Sequence, residues 1–164
     1  MNTSVSNDIR GVLINVTGSR ALLPNATVAE VITYSPPDAL PDSPDWMLGY
    51  IRWRGWRLPV VSYARMIGSA SAEGEFGAKV VVLKFLGGNP RYSYFAMLAQ
   101  GFPRLVTVSE QALIEDVSVL DDDDSTPLPE GVLMKVYLND DAAVIPDLAA
   151  IEQKVAALAA LQVA

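Results

Sequence analysis

Residues 40–68 read LPDSPDWMLGYIRWRGWRLPVVSYARMIG and carry the strongest structural signals in the chain. Prolines bound the first part of this stretch, and the pair Arg54-Gly55 separates two short runs rich in aromatic and β-branched residues. A residue followed by glycine between two such runs is typical of a β-hairpin with a two-residue turn. We therefore predict that residues 50–53 and 56–63 form a hairpin closed at Arg54-Gly55.

Short strand-like segments continue on both sides of this hairpin. The predicted strands are 11–16, 21–24, 28–34, 79–85, 92–98, 104–109, 132–138 and 142–145, and residues 116–120 lead into a run of four aspartates. About ten short strands with heavy turn chemistry indicate an all-β body. Two small closed or nearly closed barrels fit this pattern better than one long sheet. Alternation in the third segment predicts that Val28, Glu30 and Ile32 share one face.

The end of the chain has the pattern of a helix. Asp147 is a candidate N-cap, and the apolar residues that follow recur at three- and four-residue steps at Leu148, Ile151, Val155, Leu158 and Leu161. The spacing predicts a helix over about 147–162. Its apolar face would pack on the barrels or on a partner, and packing on the barrels is the favoured interpretation.

Composition limits the classes of function. The 164 residues fit one domain, and a net charge of −7 disfavours nucleic acid unless the few cations are clustered. The chain has neither cysteine nor histidine. It therefore lacks thiolate nucleophiles, disulfides and the commonest general base. No secretory signal or membrane-spanning run is recognised, so we expect a cytoplasmic protein without direct membrane insertion.

No catalytic or metal-binding constellation stands out. The run 121–124 consists of four aspartates, but it lacks the alternating ligand spacing and the glycine of a calcium loop, which favours a solvated acidic turn. No glycine loop followed by Lys-Ser/Thr is present to hold a phosphate. We expect no catalytic residue, metal or cofactor. A hydrolase with a serine nucleophile remains an alternative that no motif supports.

The stretch 40–68 resembles the central signature of CheW-like domains, the chemotaxis coupling proteins of bacteria. The shared pattern is L-P-x-x-P-x-W-x-x-G-x-I-x-x-R-G-x-x-L-P-V-V followed by a closing glycine. Upstream, Val28-Ala29-Glu30-Val31 is similar to the family's Val-x-Glu-Ile/Val strand. The resemblance extends over residues 11–152 and is specific within 28–68.

The resemblance implies a fold as well as a domain organisation. It implies two five-stranded, SH3-like β-barrel lobes that share a hydrophobic core. On this basis we expect a flexible segment over 1–10 and one CheW-like domain over 11–164, with the small-residue connector near 69–78 dividing the two lobes.

The resemblance also implies a non-enzymatic adaptor in chemosensory signalling. Such a protein couples the cytoplasmic tip of a chemoreceptor to the regulatory domain of a histidine kinase, and other CheW-like proteins are further partners. It would be recruited from the cytoplasm to membrane-associated receptor arrays. The family positions that matter for these contacts match here at Val28, Glu30, Gly49, Arg54 and Gly55.

Two tryptophans flank the predicted turn, and one of them can fill the core while the other covers a partner surface. Arg54 at the tip is suited to a bidentate bond with a receptor carboxylate. The predicted partner-binding residues are therefore Val28, Glu30, Gly49, Trp53, Arg54, Gly55 and Trp56.

Departures from the family pattern leave the choice of partner open. The usual Asn-Leu-Arg-Gly turn is replaced by residues 52–55, RWRG, and the acid and the arginine that usually follow Pro-Val-Val are absent. The altered motif resembles the accessory coupling proteins of systems that control type IV pili and twitching motility. An alternative function is a β-barrel that binds single-stranded nucleic acid through Arg52, Arg54, Arg57 and Trp53.

Overall fold

The structure, a computed structural model, describes residues 8–70, 74, 76–87, 93–116 and 128–162, with the backbone alone for 159–162. Eleven strands and two α-helices lie within these residues. In chain order they are β1 (Ile9–Val16), β2 (Ser19–Pro24), β3 (Val28–Thr33), β4 (Met47–Trp53), β5 (Trp56–Val61), α1 (Tyr63–Met66), β6 (Ala78–Lys84), β7 (Tyr94–Gln100), β8 (Arg104–Val108), β9 (Leu113–Glu115), β10 (Val132–Leu138), β11 (Asp141–Pro146) and α2 (Leu148–Gln162).

The strands form two sheets. The central sheet has five strands in the order β3-β6-β7-β5-β4, and the terminal sheet has six in the order β8-β1-β2-β11-β10-β9. Most neighbours are antiparallel, while β5 pairs with β7 and β11 pairs with β2 in parallel. The expected fold class is confirmed: the protein is all-β with a C-terminal helix and two SH3-like lobes. The three-residue strand β9 is an addition to the expected five strands of its lobe.

The expected division of the lobes near 69–78 is wrong. That connector joins α1 to β6, and β6 lies inside the central sheet between β3 and β7. The terminal sheet instead combines the first two strands with the last four, because β1 pairs with β8 over five residue pairs from Ile9–Val108 to Leu13–Arg104. Both ends of the domain therefore lie in the same lobe.

A shared hydrophobic core joins the two lobes. The terminal sheet contributes Val12 and Ile14, the central sheet contributes Phe95 and Met97, and all four side chains are buried in one cluster. Each lobe also has its own buried cluster, around Leu138 in the terminal sheet and in two smaller groups in the central sheet. The shared cluster fixes the position of the central sheet against the terminal sheet.

Helix α2 packs on this shared core. The Asp147 carboxylate accepts a hydrogen bond from the Ala150 amide at 3.2 Å, which is the predicted N-cap. Ile151 and Val155 are buried in the shared cluster, so the favoured interpretation of the apolar face is confirmed at these two positions. Leu161 lies beyond the described side chains.

Several sequence-based boundaries need correction. Strand β1 begins at Ile9, inside the segment expected to be loose, and residues 1–7 lie outside the described residues. Tyr63 begins helix α1 rather than ending a strand, because the Ser62 hydroxyl caps the helix by accepting a hydrogen bond from the Arg65 amide at 3.2 Å. Strand β9 was not predicted, and the aspartate run 121–124 lies outside the described residues.

Candidate functional site

The predicted hairpin is present and ends in a tight turn. Strands β4 and β5 pair up to Trp53 opposite Trp56, which leaves Arg54 and Gly55 as a two-residue loop. Both loop residues have positive φ angles, +48° and +80°. Positive φ at both positions is the type I′ geometry that suits the twist of a hairpin. A Cβ atom at Gly55 would meet nothing within 4 Å, so the turn projects into open space.

Glu30 closes the central barrel at this turn. It lies on β3, which is one edge of the central sheet, while Trp53 ends β4, the other edge. Trp53 Nε1 donates a hydrogen bond to Glu30 Oε2. Arg54 Nη2 lies 3.1 Å from Glu30 Oε1 and forms an ion pair with it. The Glu30 carboxylate therefore links the edge strands β3 and β4 by accepting hydrogen bonds from the neutral Trp53 indole and from the charged Arg54 guanidinium.

The two tryptophans have different exposures. Trp53 is 7% exposed and packs edge-to-face against Tyr94, with ring centroids 5.0 Å apart. Trp56 is 42% exposed and also meets Tyr94 edge-to-face, at 5.8 Å. The Arg54 guanidinium lies 4.9 Å from the Trp53 ring centroid. One ring thus belongs to the core and the other is partly exposed to solvent. We call Glu30, Trp53, Arg54, Trp56 and Tyr94 the Glu30 cluster.

The contacts of Glu30 alter its acidity. The hydrogen bond from Trp53 holds the pKa of Glu30 below its ordinary value of 4.5, partial burial opposes this effect, and the charge and hydrogen bond of Arg54 lower the pKa further. The carboxylate is therefore ionised at neutral pH and the ion pair with Arg54 is present.

Gly49 lies at the other end of β4, away from the turn. Its φ angle is +140°, and a Cβ atom there would lie 2.3 Å from the Asp38 carbonyl oxygen. Tyr50 and Asp38 exchange two backbone hydrogen bonds of 2.9 and 3.0 Å next to it. Only glycine permits this close approach of two backbones. Gly49 is buried and holds the loop after β3 against β4.

Val28 does not lie on the same face as Glu30, contrary to the sequence-based expectation. The register of β3 against β6 shifts between these two residues, with Val28 opposite Leu83 and Glu30 opposite Val82. This β-bulge at Ala29 adds one residue and reverses the alternation of faces. Val28 consequently packs against the shared core. The structure brings Glu30, Trp53, Arg54, Gly55 and Trp56 together and places Val28 and Gly49 elsewhere.

The opposite face of the hairpin carries a second cationic feature. Arg52 and Arg57 are directly opposite each other, and both are exposed. The guanidinium of Arg57 lies 3.9 Å from the ring centroid of Tyr50, which is 8% exposed. Sequence reasoning singled out neither Tyr50 nor Tyr94, because the contacts of both rings depend on strand pairing rather than on a local pattern.

The geometry disfavours nucleic-acid binding through Trp53. Trp53 has no free ring face on which a base could stack, because it is buried against Tyr94 and Glu30. Within the described part of the chain, no group of three or more acidic, histidine or cysteine side chains is arranged to hold a metal ion. None of the helices described here is both long and apolar enough to cross a membrane.

Comparison with known proteins identifies the class to which this fold and hairpin belong. Residues 10–155 match the family model of the CheW-like domain, so the protein belongs to the CheW-like domain family. Fifteen chains of solved structures match the fold. One is the scaffolding protein TtCheW from Thermoanaerobacter tengcongensis, with a TM-score of 0.69, 14% sequence identity and coverage of 90% of each chain. No curated protein matches the sequence.

Proposed function

We propose that the protein is a non-enzymatic adaptor in bacterial chemosensory signalling that couples chemoreceptors to a histidine kinase. The observation that carries this proposal is the Glu30 cluster. In this cluster Glu30 of β3 pairs with Arg54 at the tip of the β4–β5 hairpin, beside Trp56, which is 42% exposed. The membership of the CheW-like family supports the role of adaptor.

The proposed contact surface is the tip of the β4–β5 hairpin. Tryptophan and arginine are enriched among the residues that dominate protein–protein interfaces. Trp56 offers an exposed ring, and Arg54 offers a side chain that is 66% exposed. The partners proposed for the two lobes are the receptor's cytoplasmic tip and the kinase regulatory domain, with other CheW-like proteins in addition. Contacts on two lobes let many weak interfaces add across an array.

The residues of the predicted site have different parts in this proposal. Glu30 holds Arg54 and Trp53 in place, so it acts on the partner through them. Gly55 permits the turn that presents them. Val28 and Gly49 support the lobe from within, because both contact other parts of the fold. Partner contact is accordingly assigned to Arg54 and Trp56.

We also propose a cytoplasmic location with recruitment to membrane-associated receptor arrays. The behaviour controlled is proposed to be type IV pilus motility, on the strength of the altered turn. The family's usual asparagine and leucine are replaced there by Arg52 and Trp53. A changed turn on the contact surface is the expected sign of a changed partner set.

The test is affinity capture from the native lysate with identification of the captured proteins. The wild-type chain is compared with Arg54→Ala and Trp56→Ala, and Arg10→Ala serves as the control because Arg10 is an exposed arginine on the other sheet. Thermal unfolding confirms that each variant is folded. We expect the wild type and the control to capture a histidine kinase or a chemoreceptor, and the tip variants to lose this capture. Capture of neither by the wild type would contradict the proposal.

A further inference from the structure

The β4–β5 hairpin has a second exposed feature that the Glu30 cluster does not use. Neighbouring residues of a strand point to opposite faces, so the Arg52–Arg57 pair lies on the face opposite to that of the adjacent Trp53–Trp56 pair. Two like charges directly opposite each other destabilise a β-ladder. The placement of both arginines there therefore costs stability within the ladder.

The contacts of the pair hold one guanidinium in a defined position. Arg57 and Tyr50 are diagonal neighbours on the same face, and the guanidinium carbon lies 3.9 Å from the ring centroid. Because Tyr50 belongs to the shared core, its ring is a fixed base for the arginine. Stacking on an aromatic ring stabilises the cation and leaves the edge of its planar fork able to donate hydrogen bonds.

The charges of the pair are not compensated by the described part of the protein. Four other cations have a carboxylate at 3.0 to 3.4 Å, namely Arg20, Arg54, Arg104 and Lys154. No described carboxylate forms an ion pair with Arg52 or Arg57. The chain has 19 acidic and 12 basic residues, so two uncompensated arginines side by side run against its overall charge. Arg54, by contrast, is already paired with Glu30.

We propose that Arg52 and Arg57 form a docking face for an acidic segment of a partner protein, whose carboxylates the two guanidinium groups bind. This inference rests on the adaptor function proposed above, because it names the chemistry of a partner for the same hairpin. The sequence analysis assigned the bond with a partner carboxylate to Arg54. We now assign it to Arg52 and Arg57, because neither forms an ion pair with a described carboxylate of the protein. An open hollow lined by residues 52–57 lies at this tip.

An acidic protein segment fits this face better than a nucleic acid does. A polyphosphate strand brings a long row of charges past a protein with a net charge of −7, which opposes binding over most of the surface. A short acidic segment brings only a few carboxylates to the guanidinium groups of Arg52 and Arg57. A carboxylate and a guanidinium can bind each other in planar, bidentate geometry. The tryptophan adjacent to Arg52 is buried, so it offers no platform for a base.

The test is an NMR titration of the isotopically labelled full chain with a short, glutamate-rich synthetic helix at low ionic strength. The control peptide has glutamine at every glutamate position. The protein variants are Arg52→Gln/Arg57→Gln and, as the matched control, Arg10→Gln. We expect shifts centred on residues 50–58, affinity at least about tenfold weaker in the double variant and unchanged in the control, and loss of binding with added salt.

Other outcomes would overturn the inference. This face is rejected as the binding site if the double variant binds the peptide as tightly as the wild type does. It is also rejected if the glutamine peptide binds as tightly as the glutamate peptide, or if the shifts are centred outside the hairpin. Tighter binding of single-stranded DNA or of anionic lipid vesicles than of the peptide would remove the acidic protein as its ligand.

A second arm separates this inference from the proposed function. The double variant is used in the affinity capture described above. If the wild type and the double variant capture the kinase or receptor equally well, the docking face is rejected while the adaptor function stands. If the wild type captures neither, the adaptor function is rejected and the titration still decides whether the face binds acidic segments. Loss of capture in the folded double variant supports both.

Discussion

The two ends of strand β4 belong to one sequence motif and have different physical roles. At one end, Gly49 is buried beneath the backbone of Asp38, where a side chain has no room. At the other end, Gly55 projects into open space, with the exposed residues Arg54 and Trp56 beside it. Residues of the same motif can thus serve the fold or present a surface. The difference decides which substitutions report on binding and which report on folding.

The largest effect is expected from Gly49→Asp. The Cβ atom would lie 2.3 Å from the Asp38 carbonyl oxygen, and the new carboxylate would face that oxygen in a buried position. Strain and an unpaired buried charge together should cost about 5 kcal/mol. Chemical denaturation measures the loss. A stable, folded variant would show that the fold does not need the close backbone contact at Gly49. If the variant is unfolded, its loss of partner binding reports on folding and not on the contact surface.

A smaller loss of stability is expected from Trp53→Ala. This substitution empties a buried site, removes the edge-to-face contact with Tyr94 and takes away one donor to Glu30. It should lower the free energy of unfolding by about 3 kcal/mol. The matched control is Trp56→Ala, which should cost about 1 kcal/mol or less because Trp56 is 42% exposed, against 7% for Trp53. Equal losses in the two variants would contradict the assignment of one ring to the core.

Gly55→Ala compares the tip directly with the Gly49 end. The new methyl group meets nothing within 4 Å, so the only cost is the positive φ angle of +80°. We expect a loss of about 1 kcal/mol, measured by the same denaturation experiment. A loss as large as that of Gly49→Asp would mean that the turn is packed rather than open.

The smallest effect is a dependence of stability on pH. Contacts in the folded state lower the pKa of Glu30 below its ordinary value of 4.5. Its contribution to stability is therefore fully present above the unfolded-state pKa and is lost as the pH falls through the folded-state pKa. Denaturation midpoints measured from neutral to acid pH should fall less in Glu30→Gln than in the wild type. Identical pH profiles would show that the carboxylate contributes nothing through its charge.

Local patterns predicted the parts of the molecule that depend on neighbours in sequence. The hairpin at Arg54-Gly55 was predicted because two short runs flank a turn pair, and the cap at Asp147 because a helical stripe follows it. The fold class followed from the number of strands and from the resemblance to a known family. These features need no knowledge of which distant strands pair.

Features that depend on distant pairing were missed. The lobes could not be divided correctly, because the pairing of β1 with β8 joins residues far apart in the chain. The bulge at Ala29, which turns Val28 away from Glu30, has no signal in the local alternation. The contacts of Tyr94 with both tryptophans and of Arg57 with Tyr50 depend on side chains meeting across strands. The candidate site was therefore predicted as a set of positions and not as a geometry.

The most direct test of the hairpin tip as a contact surface measures thermal unfolding and partner capture together for Trp56→Ala and Arg54→Ala. We expect both variants to unfold close to the wild-type temperature, since Trp56 is 42% exposed and the Arg54 side chain 66% exposed, and both to lose the histidine kinase or chemoreceptor. Full capture by both folded variants would contradict the claim that the hairpin tip is the contact surface.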